Sequence, residues 1–223
     1  GLLGKADAIG YAVCHRIDVR SFHLGDRPIS LCARCTGQYL GAMLGLVFQL
    51  IRRPRAVGRP PWYVILVLGL IALLYALDGT NSYLYLLIEM SDSSGAEMGN
   101  ILGWLTNFSS SYGYVPNNTM RLLTGTGLGI GVGVMLLPAF HQTVWKVRDR
   151  RAAIDGWLPL AGVLALGFVL DLVVLTENPI ILYPLALVSA AGVMVLLTMV
   201  YSMVWLMLFK MENRIENARQ LIF

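Results

Sequence analysis

Five stretches of this chain are long and apolar enough to cross a lipid bilayer: residues 35–51, 62–78, 120–140, 157–176 and 180–209. A helix rises ~1.5 Å per residue, so about 20 apolar residues bridge a ~30 Å hydrocarbon core. The chain is therefore read as all-α, a polytopic transmembrane bundle of about five spans. The last run is about 30 residues long and must tilt or project beyond the bilayer. With 57% hydrophobic and 13% charged residues, the spans leave no room for a separate soluble domain.

The charged residues orient the spans. Arg52, Arg53, Arg55 and Arg59 fill the connection after the first span, and Lys146, Arg148, Arg150 and Arg151 the one after the third. Lys210, Arg214 and Arg219 follow the last. The long connection 79–118 holds no Lys or Arg, but does hold Glu89, Asp92 and Glu97. Basic loops stay cytoplasmic, which places 52–59, 142–156 and the tail 210–223 inside and 79–118 outside. This pattern accounts for the net charge of +4 without a nucleic-acid partner. The same alternation puts segment 1–34 on the outer face, against its own Lys5, Arg16, Arg20, Arg27 and Arg34. An outer segment needs an upstream span or a translocated N-terminus; a preceding span is the expectation, with residues 1–13 as its outer end.

That segment carries nearly all the recognisable chemistry. All three cysteines fall within it or at its edge: Cys14-His15, then Cys32-Ala33-Arg34-Cys35. Three sulfurs and one imidazole match the donors zinc prefers, and Cys14, His15, Cys32 and Cys35 are the expected ligands of a closed, structural site. Adjacent ligands such as Cys14-His15 are less usual than C-x-x-C pairs. The alternative is thiol chemistry. Cys35, at a helix N-terminus beside Arg34, would have a stabilised thiolate, and an oxidising outer face would allow a Cys32–Cys35 disulfide.

Ionisable residues inside spans are costly and mark function or pairing. Asp78 ends the second span, Arg121 opens the third, and Asp171 lies late in the fourth with Glu177 just past it. All fall at the bilayer level of Cys35, and Cys35, Asp78, Arg121 and Asp171 are the catalytic candidates. The bland reading makes Asp78 and Arg121 a structural ion pair and Asp171 a group near the interface. His23 reads as an extra ligand or a loop residue, His141 as interfacial, and Met194, Met199, Met203 and Met207 as packing residues. Gly37, Gly41 and Gly45 on the first span and Gly125, Gly129 and Gly133 on the third recur at i+4. Such stripes let helix backbones approach closely, so these two helices are expected to pack together and bring Cys35 near Arg121. The connection 79–118 carries Tyr83, Tyr85, Trp104, Phe108, Tyr112 and Tyr114 and is expected to form an interfacial lid with a short helix at 97–107. Sequon matches at Asn107 and Asn117 carry little weight.

Together, Cys14-His15-Arg16, Arg20-Ser21-Phe22, Gly25, Pro28 and Cys32-Ala33-Arg34-Cys35-Thr36-Gly37 closely resemble a family of small bacterial and archaeal membrane proteins, domain of unknown function 2085. The likeness continues through Asp78-Gly79, Asn118, Arg121, Thr124 and Gly125, and covers roughly residues 10–135. The resemblance implies a multi-pass membrane protein with a Cys/His/Arg/Asp motif, and no particular activity. The long 79–118 connection and the cysteine-free last spans depart from the simpler pattern.

Three functions compete. The first is a metal-binding protein whose Cys/His site organises the outer helix ends, as an accessory or structural subunit of a larger membrane complex. The second is an outer-leaflet enzyme acting on a lipid or quinone through Cys35 or a bound metal, with Arg121 as anion stabiliser and Asp78 or Asp171 as acid/base. The third is a transporter, which should also carry charges near mid-bilayer and at the inner face; this chain largely lacks them. The expected home is the cytoplasmic membrane of a prokaryote.

Overall fold

A computed structural model describes residues 2–94, 103 and 114–216, without the side chains of 89–94. The expected helix at 97–107 and the aromatic residues Trp104, Phe108 and Tyr112 lie outside the described residues. The elements run in the order α1 (Leu2–Val13), a 3-10 turn (Asp18–Arg20), β1 (His23–Leu24), β2 (Arg27–Pro28), α2 (Ala33–Arg52), α3 (Trp62–Ser94), α4 (Asn118–Val144), α5 (Trp157–Leu175) and α6 (Pro179–Leu208). The protein is thus an all-α membrane bundle, with one short hairpin near its N-terminus.

Four helices are long and apolar enough to cross a membrane: α3, α4, α5 and α6. The fifth expected span, 35–51, is also a helix, α2 of 20 residues, but it falls outside that set. Its Thr36, Gly37, Gly41, Gly45 and Gln49 are buried because α4, α5 and α6 pack around it. A helix covered by protein can be less apolar than one facing lipid. Gln49 shows the consequence: its side-chain amide donates to the carbonyls of Gly45 (3.0 Å) and Gly133 (2.9 Å), satisfying a buried polar group across the helix pair.

The glycine stripes meet as expected. A methyl at Gly41 would lie 2.9 Å from the Thr126 Cα, and one at Gly129 2.8 Å from the Ala42 nitrogen. The α2–α4 contact is therefore backbone on backbone, the geometry that small residues permit. Helix α3 continues to Ser94, well past the apolar run that ends at Asp78. Side-chain caps start α4 and α6: Asn117 accepts from the Met120 amide (2.9 Å) and Asn178 from the Ile180 amide (3.0 Å). Asn117 and Asn118, read in sequence as a glycosylation match, thus have structural uses.

The two ends of the bundle differ. At one end the connections 53–61, 145–156 and 209–216 are zipped together. The Val57 amide donates to Asp149 (2.8 Å), and the Lys146 amide donates to Ile215 (3.0 Å). Arg52 and Arg53 both reach Asp155, at 2.9 and 2.8 Å. His141, expected to be interfacial, is buried here, with Nδ1 3.1 Å from the Ala56 carbonyl. All three cysteines lie at the opposite end, where α2 and α4 begin.

Candidate metal centre and its arginine-lined cavity

Three short-range devices bring Cys14 to the start of α2. Gly10 lets the end of α1 touch the chain before α2, since a methyl there would overlap the Ser30 carbonyl. Asp7, one turn before Tyr11, then takes Ser30 Oγ (3.0 Å), Arg16 (3.1 Å) and Arg27 on one carboxylate. Arg16 sits at φ +48° and stacks over the Tyr11 ring at 4.4 Å. A non-glycine residue in the left-handed region is uncommon, and here it turns the chain sharply after Cys14-His15.

The hairpin anchors the other side. Ser21 Oγ donates to the Ile17 carbonyl (3.0 Å), and Gly25, at φ +63°, makes the turn. Phe22 and Ile29 plug into a buried cluster with Leu122, Val174, Leu182 and Ala186. The Arg20-Ser21-Phe22 signature thereby divides its labour: Ser21 holds the turn, Phe22 anchors it, and Arg20 lines a cavity.

Cys32 is the N-cap of α2 and Cys35 lies in its first turn. The Cys32 amide points at Cys14 Sγ, 3.4 Å away. The Sγ atoms of Cys14, Cys32 and Cys35 all lie within 4.8 Å of one another, and all three are free thiols. Hydrogen bonds from the Cys32 and Cys35 side chains push the Cys14 thiol well below its ordinary range. The Cys32 thiol is pushed up, first by its hydrogen bond to Cys14. Two thiolates on a tetrahedral zinc stand ~3.8 Å apart at a ~2.3 Å Zn–S distance, so the donor types and their spacing fit a thiophilic metal.

His15 is not part of this group. It is exposed and lines the same cavity, about 210 Å³, together with the three cysteines, Arg16, Arg20, Arg34 and Arg121. His23 is elsewhere, with Nε2 3.1 Å from Asp18.

The catalytic candidates divide into two places. Asp78 and Arg121 are both buried at the cysteine end, but they do not pair with each other. The partner of Asp78 is Arg34, whose Nη2 also donates to Ser82 (3.1 Å). Tyr114 and Thr124 (3.3 Å) also donate to the Asp78 carboxylate. Burial and that carboxylate raise the Tyr114 phenol to about 12, so it remains a donor. Arg121 donates from Nη1 to its own helix, at Asn118 Oδ1 (3.0 Å), and faces the cavity. The expected ion pair fails because Arg34 projects from α2 toward α3 and reaches Asp78 first; its position beside Cys35 had suggested that it serves the thiolate. Asp171 stands apart. It accepts from Thr126 Oγ1 (2.5 Å) and lines a separate apolar cavity of about 270 Å³ with Ile71, Leu123 and Phe168. Glu177 is exposed in the turn after α5. Tyr114 was read only as an interfacial aromatic and Thr124 only as part of the family likeness; Asp7 and Thr126 were not singled out, since nothing in their spacing separates them from ordinary surface or helix residues.

The family model described as "Predicted membrane protein (DUF2085)" matches residues 14–135, the stretch that carries every cysteine, Asp78 and Arg121. A relative in Methanocaldococcus jannaschii, the uncharacterised protein MJ1492, is 29% identical over 111 residues, 49% of this chain. The chain spans 65% of that relative's length. No solved structure matches. With more than half of its length, including the whole cysteine end, under that model, the chain belongs to the DUF2085 family of predicted membrane proteins.

Proposed function

We propose that this is a membrane metalloprotein in which Cys14, Cys32 and Cys35 hold zinc at the outer face of a prokaryotic cytoplasmic membrane. The observation that carries this reading is the convergence of three sulfurs within 4.8 Å from two separate segments of chain. His15, which lines the same cavity, is the candidate fourth ligand; moving its ring inward would close a Cys3His site. A closed thiolate site is structural. It would tie α1 and the hairpin to the α2 N-terminus, as suits an accessory or structural subunit of a larger membrane complex. The outer-face assignment rests on the basic loops gathering at the other end of the bundle.

The arginine-lined cavity favours a second reading, an outer-leaflet enzyme acting on a lipid or quinone. In that case His15 stays out and the cavity supplies the fourth position. The metal would act there as a Lewis acid, with Arg121 and Arg20 holding an anionic substrate group.

Elemental analysis of the detergent-purified protein tests the shared premise. About one zinc per chain, lost in Cys35→Ser, is expected; no metal together with an intact Cys32–Cys35 disulfide would overturn it. His15→Ala then separates the readings, because a structural site loses affinity without its fourth ligand and an open site does not.

A further inference from the structure

Two cavities at the cysteine end share a wall. The cysteine cavity and a larger groove of about 470 Å³ are both lined by Ile17, Arg20 and Arg121. Beyond that wall the groove turns apolar, through Val19, Leu86, Ile88, Val115 and Pro116. The arginines around the wall outnumber the carboxylates that reach them among the described residues. Of the four arginines on the cysteine cavity, Arg34 is paired with Asp78, and Arg16 shares Asp7 with Arg27. Arg20 and Arg121 have no carboxylate partner among the described residues, although Arg121 is only 7% exposed. The buried Nε atoms of Arg16 and Arg34 have no hydrogen-bond partner.

A buried guanidinium such as that of Arg121, without a carboxylate partner, is costly unless a ligand supplies the anion. We propose that this end of the protein binds an anionic phospholipid, its phosphate between Arg20 and Arg121 and its acyl chain along the Val19–Leu86–Val115 groove. Arginine suits the phosphate because its planar fork donates two parallel hydrogen bonds to phosphate oxygens. The apolar extension distinguishes a lipid from a free anion: an inorganic ion would fill the arginine wall and leave the groove without an occupant. This inference stands on Arg20 and Arg121 and not on the metal, so a metal-free protein would leave it intact.

The test is native mass spectrometry of the full chain released from detergent, titrated separately with phosphatidic acid, phosphatidylcholine and inorganic phosphate. Wild type should retain phosphatidic acid at least about tenfold better than phosphatidylcholine, the scale of a charge-assisted bidentate contact. Arg121→Gln and Arg20→Glu should each remove that preference, and Arg148→Gln, at the opposite end, should keep it. Arg121 is buried and its variant could fold poorly; Arg20 is half-buried on a short turn, so Arg20→Glu carries the test by itself. Equal retention of the two lipids by wild type, or an undiminished preference in Arg20→Glu, would overturn the proposal. Arginine-dependent binding of inorganic phosphate without lipid binding would overturn it as well.

Discussion

Gly129→Ala is the sharpest perturbation of the helix pairing. The added methyl would lie 2.8 Å from the Ala42 backbone nitrogen and closer still to the Gln38 carbonyl oxygen. A non-bonded carbon needs roughly 3.5 Å, so α2 and α4 must part by more than about an ångström to clear the Gln38 carbonyl oxygen. Both obstructing atoms are backbone, and no side chain can swing aside. Overpacking of this kind costs ~1–3 kcal/mol, offset by the ~0.5–1 kcal/mol that Ala gains over Gly within a helix. Separation would also stretch the 2.9 Å bond from Gln49 to the Gly133 carbonyl. The expected net loss is ~1–2 kcal/mol, or a Tm lower by about 2–8 °C for a chain of this size. The internal control is Gly69→Ala on α3, where a new Cβ meets nothing within 4 Å; it should melt at or slightly above wild type. If Gly129→Ala melts with Gly69→Ala in the same detergent, the backbone seam is not what holds these helices.

The two ends should respond differently to loss of a carboxylate. Asp78→Asn strands Arg34 in an environment where the aspartate is only 3% exposed. It should cost ~3 kcal/mol in thermal or denaturant unfolding, with partial recovery in Arg34→Gln/Asp78→Asn; an unchanged melt would refute the pairing. Asp155→Asn removes the partner of Arg52 and Arg53, but those side chains are 23–38% exposed, so the loss should stay below ~1 kcal/mol. Cysteines introduced at the exposed positions Val19 and Arg150 should report opposite sides of the membrane. An impermeant maleimide on intact cells should label Val19→Cys above the parent, and Arg150→Cys only after permeabilisation. The reverse pattern would invert the orientation.

The sequence made the bundle legible because lipid demands long apolar runs and glycine stripes print their period directly. It also announced the cysteine convergence, since Cys14 and C-x-x-C have few other uses in so apolar a chain. It did not separate α2, which falls outside the set of helices apolar enough to span by composition, from the other runs. Hydropathy measures what a helix would do facing lipid, and α2 faces protein; its Arg34, Gln38 and Gln49 are affordable because α3 and α4 supply their partners. Ion-pair partners were illegible for a related reason. Arg34, Arg121 and Asp78 share one end of the bundle, and which arginine reaches the carboxylate depends on helix rotation. Asp171 was expected beside Asp78 and Arg121 and instead bonds Thr126 at a separate cavity, because position along a span does not give azimuth. His15 was grouped with Cys14 by adjacency; the left-handed turn at Arg16 that follows it has no sequence signature.

The glycine seam does more than stabilise, because it runs upward into the site. A methyl at Gly125 would lie 3.2 Å from the Gln38 nitrogen and collide with the Arg34 carbonyl, one residue from Cys35. Gly129 makes the equivalent contact one turn deeper, against Gln38 and Ala42. Overpacking at either position should cost a similar ~1–3 kcal/mol, yet only Gly125→Ala pushes the Arg34–Cys35 turn away from the start of α4, where Arg121 lies. Gly125→Ala should therefore reduce metal content and weaken the preference for phosphatidic acid, whereas Gly129→Ala should lower the Tm and spare both. Metal analysis and lipid retention measured on the two variants at one temperature, below both transitions, decide the matter. Identical behaviour would mean that the site tolerates movement of the seam, and that the distance between Cys35 and Arg121 is set by the hairpin and its Phe22 anchor instead.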